Sequence, residues 1–297
     1  MFDLKALYEP TTVPEAVRLL ADHPEARIMA GGSDTLVKLR DGKLGGLEWV
    51  SLHGLDELRR ITLDDDDTLR IGALCSFTQV AESDLVRRCI VSLPEALLTI
   101  GGPQVRNIGT IGGNLCNGVP SADSASTCYA WDARLELAGP DGVRVLPIAD
   151  FYLSAGKVDL RPGEILTAIL FPHEAYAGYK GAYSKYAMRG AMDIATVNVA
   201  TSIKMAPGGA TIADARIAFG VAAPTPIRAP HGEAVLRGQA PTRALVGAAA
   251  RAAIADTRAR DSWRASRAFR EHMLEELTRR SLLTSIRRAG GEIGAEQ

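Results

Sequence analysis

The sequence predicts a mixed helix-and-strand protein in two parts. Three observations predict it. Short strand patterns alternate with helical ones around two glycine pairs, Gly31-Gly32 and Gly112-Gly113, in the first part. Three longer strand patterns then follow one another before two closing helices. Finally, 297 residues with 46% hydrophobic and 23% charged side chains can bury a large core, and that length favours roughly two domains of about 150 residues.

Thr12-Val-Pro-Glu15 has the form of a capping box with Pro in the first turn. Ala16, Val17 and Leu20 follow at helical spacing, so a helix is expected to about Asp22. The apolar segment Arg27 to Ala30 runs as a strand into the first glycine pair, after which Ser33 is expected to cap a helix from Leu36 to Leu39. This order is strand, phosphate-binding turn, helix. Trp49 to Leu52 and Leu69 to Gly72 are expected as strands, separated by a helical turn over Leu55 to Arg60 and by a solvated acidic turn, Asp64 to Asp67. Helical patterns cover Thr78 to Glu82 and Leu93 to Thr99, and a long glycine-rich loop then begins. Strands are expected again at Arg134 to Leu137, Val143 to Pro147 and Ile165 to Phe171.

A junction is expected between Pro172 and Gly181, where small and aromatic residues interrupt the periodicity. Ala182 to Met188, Val197 to Met205 and Thr211 to Gly220 read as three strands, the second ending in the Pro207-Gly208-Gly209 turn. Ala244 to Ala255 reads as a helix. A second helix carries Phe269, Met273 and Leu277 at i+4 spacing and ends at Gly290-Gly291.

A formal charge of −1 offers no electrostatic case for nucleic acid or an anionic membrane, since counterion release needs clustered Lys and Arg. The pairs Arg279-Arg280 and Arg287-Arg288 read as the solvated face of a helix. No signal peptide or membrane span is apparent, so a cytoplasmic protein is expected. Cys75, Cys89, Cys116 and Cys128 lack paired C-x-x-C spacing and are read as reduced thiols; Cys116 fits either a small buried residue or a thiol lining a site. The histidines show no ligand spacing, and no metal held by this chain is expected.

Neither G-x-G-x-x-G after a strand nor G-x-x-x-x-G-K-[ST] occurs, so a Rossmann fold and a P-loop are both unsupported. Gly31-Gly32 with Ser33, and Thr110 with Gly112-Gly113, would instead bring backbone donors and hydroxyls to a diphosphate from two sides. Asp123 could bind a ribose or ribityl hydroxyl. Spacing alone leaves this reading level with one in which the glycines only make tight turns.

MAGGSDTL, TIGGNLCNG with PSADSA, KYAMRGAMDIA and AFGVAAPTPIRA together resemble the FAD-binding (medium) subunit of bacterial xanthine dehydrogenases, in the molybdenum hydroxylase family. The resemblance runs from the MFDL start to SWRASRAFR. It implies an α+β fold: a vanillyl-alcohol-oxidase-type (PCMH-like) FAD-binding domain of two α+β subdomains over residues 1–176, then a CO-dehydrogenase-flavoprotein-like domain over 182–290 with a three-stranded antiparallel sheet and helices. It implies a first FAD loop at Arg27, Ile28, Met29, Ala30, Gly31, Gly32, Ser33 and Asp34. A second is implied at Gly109, Thr110, Ile111, Gly112, Gly113 and Asn114. Asp123 would face the ribityl or diphosphate region, Ile100 and Ile165 would pack near flavin or adenine, and Ser184 and Lys185 would meet the cofactor from the second domain.

A cation at Lys185 near the isoalloxazine would stabilise the anionic reduced flavin; the alternative is a surface ion pair. Arg189 and Asp193 could orient that region or meet a nicotinamide nucleotide, or form a plain structural pair, and they are left outside the primary site. The resemblance further implies non-covalent FAD, no catalytic residue in this chain, a large molybdopterin subunit and a small [2Fe–2S] subunit as partners, and NAD(H) as acceptor. Two alternatives are a flavin subunit of an aldehyde, CO or N-heteroaromatic hydroxylase with another acceptor, and a non-catalytic nucleotide-binding scaffold. A hydroxybenzoyl-CoA reductase subunit is disfavoured because the four-cysteine insertion of that group is missing.

Overall fold

The computed structural model describes residues 2–294. The chain opens with β1 (Leu4–Tyr8), α1 (Val13–Asp22), β2 (Arg27–Met29), α2 (Thr35–Arg40) and β3 (Leu47–Ser51), whose strands form a parallel sheet in the order β1-β3-β2. Helical crossovers are what parallel neighbours require. Thr12 Oγ1 accepts from the Glu15 amide as expected, but the Glu15 carboxylate reaches the Thr11 amide rather than that of Thr12. Asp34, not Ser33, occupies the N-cap position of α2, and its side chain makes no capping bond.

A 3-10 turn over Asp56–Arg59 leads to β4 (Ile61–Leu63) and β5 (Leu69–Gly72). The acidic stretch between them is a turn, with Asp64 paired to Arg70 at 3.0 Å. Next come α3 (Phe77–Glu82), α4 (Asp84–Cys89), α5 (Ser92–Leu98), α6 (Pro103–Ile108), α7 (Ile111–Cys116) and α8 (Asp123–Ala130). The expected glycine-rich loop is therefore largely three short helices. Pro103 opens the first and Thr110 caps the second, so local signals existed beneath the glycine composition.

β6 (Arg134–Gly139), β7 (Gly142–Pro147), α9 (Ile148–Phe151), β8 (Tyr152–Ser154), β9 (Lys157–Val158) and β10 (Ile165–Phe171) complete this part. An antiparallel sheet in the order β4-β5-β10-β6-β7 has β10 at its centre. Every residue of β10 is buried, which explains its unbroken apolar run ILTAILF.

The anticipated junction holds α10 (His173–Tyr176) and the start of β11 (Tyr179–Tyr186), so it is a structured turn. β12 (Val197–Met205) and β13 (Ile212–Gly220) give the three long antiparallel strands expected, and the two-residue β14 (Ile227–Arg228) adds a fourth at the edge. The remaining helices are α11 (Pro230–Leu236), α12 (Arg243–Ala253) and α13 (Arg267–Arg288), the first of them not anticipated.

Strand alternation divides the labour of this last sheet. Val197, Val199 and Ile203 join a core with Ile217, Phe219, Leu274 and Leu282 beneath the C-terminal helices. On the opposite face, Ala200 and Ala218 belong to the large core of the preceding part. There Ser202 Oγ donates to the Ala130 carbonyl at 2.7 Å. All eight residues of α8 are buried. Arg288, expected in solvent, donates to the Gly181 carbonyl at 2.7 Å and pairs with Glu95, tying the end of α13 to β11 and α5. No helix among the described residues is long and apolar enough to cross a membrane.

Candidate cofactor-binding site

The two glycine loops, some eighty residues apart in sequence, touch. A Cβ on Gly31 would lie 1.9 Å from the Ile108 carbonyl oxygen and 3.2 Å from Gly109 Cα. One on Gly113 would lie 3.6 Å from Ala30 Cβ. Gly32 has φ +71°, which glycine adopts at little cost. The loops border a cavity of about 1030 Å³.

Their roles differ. The amides of Gly31, Gly32, Ser33 and Asp34 find no acceptor among the described residues. Four adjacent donors at a turn suit a diphosphate. Most of those in the second loop are engaged: Ile111 donates to the Cys75 carbonyl at 3.0 Å, Gly112 to the Ala73 carbonyl at 2.9 Å and Asn114 to the Thr110 carbonyl at 3.0 Å, while the Thr110 amide finds no acceptor among the described residues. Gly113 donates to Thr110 Oγ1 at 3.1 Å. The Gly112 and Gly113 amides are thus not the free donors expected, and the second side keeps only that of Thr110. The second loop contributes shape, because a Cβ on Gly112 would stand 2.6 Å from Ala73 Cβ, and it contributes the side chains of Thr110 and Asn114. Asn114 Oδ1 accepts from Ser124 Oγ at 2.6 Å, which aims its amide group.

From the first loop, Arg27, Ile28, Ala30, Gly31, Gly32, Ser33 and Asp34 border the cavity, whereas Met29 lies in the strand behind it. Thr110, Gly112, Gly113, Asn114, Ile100, Ile165 and Asp123 also border it. Gly109 and Ile111 do not: Gly109 packs on Phe77, and Ile111 is in the core.

Asp123 opens α8 at the cavity wall and is enclosed. Its Oδ1 accepts from the Tyr183 hydroxyl at 2.6 Å, and its Oδ2 from Lys185 Nζ at 2.9 Å. Asn198 Nδ2 stands 3.5 Å from Oδ1. Burial pushes the Asp123 carboxyl up, opposed by Lys185 and by the Tyr183 and Asn198 hydrogen bonds. Burial likewise drives the Tyr183 phenol well above its ordinary value, so it stays a donor.

Lys185 Nζ also donates to the Thr99 carbonyl at 3.2 Å. The pair is buried, with side chains 8% and 7% exposed, which overturns the surface ion-pair alternative. Lys185 thus reaches the cavity wall through Asp123. Ser184 is a second correction. Neighbouring residues on a strand face opposite ways, and Ser184 Oγ accepts from Ser281 Oγ of α13 at 2.8 Å, away from the cavity.

Cys116 borders the cavity, and burial pushes its thiol up to about 12. It is protonated at neutral pH and a poor nucleophile. Two elements of the wall escaped the sequence: the turn Arg161-Pro162-Gly163-Glu164, which arrives ahead of β10, and Arg264, from the segment before α13. Pro162-Gly163 was the one local signal for them. The Arg189 to Ile194 loop after β11, whose Arg189 and Asp193 the sequence had weighed, also borders the cavity. Asp193 accepts from the amides of Arg189 and Ile194 at 2.9 Å each. Despite the opposing effect of burial, these bonds hold its carboxyl below the usual range.

Unpaired amides, glycine cradles and a polar far wall together fit an elongated diphosphate-bearing cofactor. The fold and the site define a flavoprotein class: the chain belongs to the family described as FAD binding domain in molybdopterin dehydrogenase, matched over residues 2–174. Residues 182–285 match the CO dehydrogenase flavoprotein C-terminal domain. Among curated relatives, the chain is 41% identical over 293 residues to a xanthine dehydrogenase FAD-binding subunit of Escherichia coli O157:H7, covering 99% of this chain and 100% of the relative.

Among solved structures, a carbon monoxide dehydrogenase from Hydrogenophaga pseudoflava lacking the Mo-pyranopterin moiety superposes with a TM-score of 0.91 at 32% identity, covering 97% of this chain and 99% of the other. Quinoline 2-oxidoreductase from Pseudomonas putida 86 gives 0.90 at 27% identity, with the same coverage.

Proposed function

We propose that this chain is the flavin-holding electron-transfer subunit of a xanthine dehydrogenase-like complex. In that complex a large subunit carries molybdopterin, a small one carries [2Fe–2S] clusters, and NAD+ is the final acceptor. The observation that carries the reading is the cavity itself, with its free Gly31–Asp34 amides at one wall and the buried Asp123–Lys185 pair at another. Bound FAD supplies a group able to exchange electrons singly with clusters and in pairs with a nicotinamide.

The chain's own residues hold and tune that group. The first loop's amides take the diphosphate, each charge-assisted bond contributing about 1.5–3 kcal/mol. Gly31, Gly112 and Gly113 let backbone approach closely, and residues 1–176 provide these loops. From the part spanning 182–290, Lys185 closes the site through its buried ion pair with Asp123. No residue here is assigned a bond-making role.

A second reading, a flavin subunit of a CO, aldehyde or N-heteroaromatic hydroxylase with another acceptor, is favoured by the two structural likenesses above. A redox-silent nucleotide-binding scaffold would use the same first-loop amides, and flavin absorption separates it from the first two readings. In the purified assembly, NADH should reduce the flavin, and xanthine or hypoxanthine should reduce it only with both partner subunits present. A flavin that stays oxidised with NADH yet is rapidly reoxidised by a quinone would replace the first reading with the second. A preparation without flavin absorption would favour the scaffold.

A further inference from the structure

Away from the glycine loops, a run of arginines lies in the segment leading into α13. Arg258, Arg260, Arg264, Arg267 and Arg270 share it with a single acid, Asp261. Asp261 accepts from the Arg267 amide at 2.6 Å, and the Arg267 guanidinium is paired with Glu271 at 2.7 Å. Arg260, Arg264 and Arg270 therefore have no carboxylate in ion-pair range among the described residues.

Arg270 is 3% exposed. Its terminal nitrogens donate to the Thr196 carbonyl and, at 2.7 Å, to Ser262 Oγ, while Nε has no acceptor. Burial, reinforced by Arg260 and Arg264 and opposed by Asp261, pulls its pKa below the ordinary arginine value. A guanidinium nonetheless stays charged in proteins. A buried cation beside two like charges calls for an anion.

Arg264 directs this charge into the cavity, since it forms part of the wall that also includes Arg189. Its guanidinium lies 4.3 Å from the centre of the Trp263 ring, and that ring is 77% exposed. A cation beside an open aromatic face matches a phosphate next to a base.

We propose that Arg264, backed by Arg260 and Arg270, binds the diphosphate of a dinucleotide acceptor entering the cavity beside the flavin loops, with Trp263 as the surface for one of its bases. The assignment rests on the acceptor reading above. A small ligand is favoured over an acidic segment of another protein because Arg264 borders the same cavity as both glycine loops.

The test uses the purified complex. Arg264→Ala should raise KM for NADH roughly tenfold or more, the loss of one charge-assisted contact, with a smaller change in kcat and wild-type flavin content. ADP-ribose, which carries the diphosphate without a nicotinamide, should perturb tryptophan emission in the wild-type complex and not in Trp263→Phe. This second measurement decides the matter if Arg264→Ala does not assemble. An unchanged KM, an ADP-ribose effect that survives in Trp263→Phe, or loss of partner subunits from Arg264→Ala at wild-type KM overturns the site. If NADH fails to reduce the wild-type flavin while ADP-ribose still acts through Trp263, the acceptor reading falls and the diphosphate site stands; if neither acts, both fall.

Discussion

Gly31→Ala is the smallest change that separates a cofactor loop from an ordinary turn. The added methyl would sit 1.9 Å from the Ile108 carbonyl oxygen and 2.8 Å from its carbon, both of them backbone atoms. Carbon–oxygen contacts settle at about 3.3–3.6 Å, so the loops must part by about 1.4 Å. Overpacking of this kind costs about 1–3 kcal/mol. The larger effect falls on the cofactor, because the Gly31–Asp34 amides move with the loop. Losing two charge-assisted bonds at about 1.5 kcal/mol each weakens binding by about two orders of magnitude.

The assay is the flavin-to-protein ratio of the purified chain, with thermal unfolding as a check on the fold. Gly42→Ala is the control: its φ is +73°, yet a Cβ there meets nothing within 4 Å. It carries only the backbone cost of about 1–2 kcal/mol and should keep its flavin. Wild-type flavin content in Gly31→Ala would refute the reasoning, since the loop would then serve only as a turn.

Lys185→Met leaves Asp123 buried without its cation, which should cost about 3–5 kcal/mol of stability and make the flavin harder to reduce, about 30 mV for every 1.4 kcal/mol; an unchanged potential would remove Lys185 from the site. Adding Asp123→Asn should restore most of the lost stability, read from denaturant midpoints. Acid precipitation should release the flavin intact, because the Cys116 thiol at the cavity is held protonated by burial; colour retained by the denatured chain would contradict this. Hydrogen bonds from Arg279 and Arg280 lower the Glu276 carboxyl from 4.5 to about 2, so its contribution is complete above 4.5 and disappears as pH falls toward 2. Glu276→Gln should accordingly lose less melting temperature than the wild type across that interval.

Legibility in the sequence followed the range of the interaction. Thr12 and the apolar spacing after it announced α1, and three long strand patterns announced the C-terminal sheet, because capping and periodicity are local. Both glycine loops stood out by composition, yet composition could not show that Gly112 and Gly113 spend their amides inside the protein. That depends on Ala73, from another strand end, and on the cap at Thr110. Residues 101–125 misled because tertiary packing makes helices from a glycine-rich stretch of weak propensity. Ser184 was placed beside Lys185 by motif, although a strand turns such neighbours apart. Arg264 and the Arg161–Glu164 turn lacked a motif, and only the fold brings them to the same cavity.

Helix α8 bears on how this chain could be recombined with its relatives. It precedes the anticipated junction by some fifty residues, yet it packs on β12 and β13, and the Ala130 carbonyl at its end receives Ser202. A hybrid cut near residue 180 would pair one parent's β12–β13 face with the other's α8, so Asp123, Tyr183, Lys185 and Asn198 would come from two lineages. Crossovers placed before residue 92 would carry the contacts of both α5 and α8 with β11, β12, β13 and α13 together. Shuffled libraries built on this scaffold should therefore recover functional members at a seam well upstream of the one that strand and helix boundaries suggest.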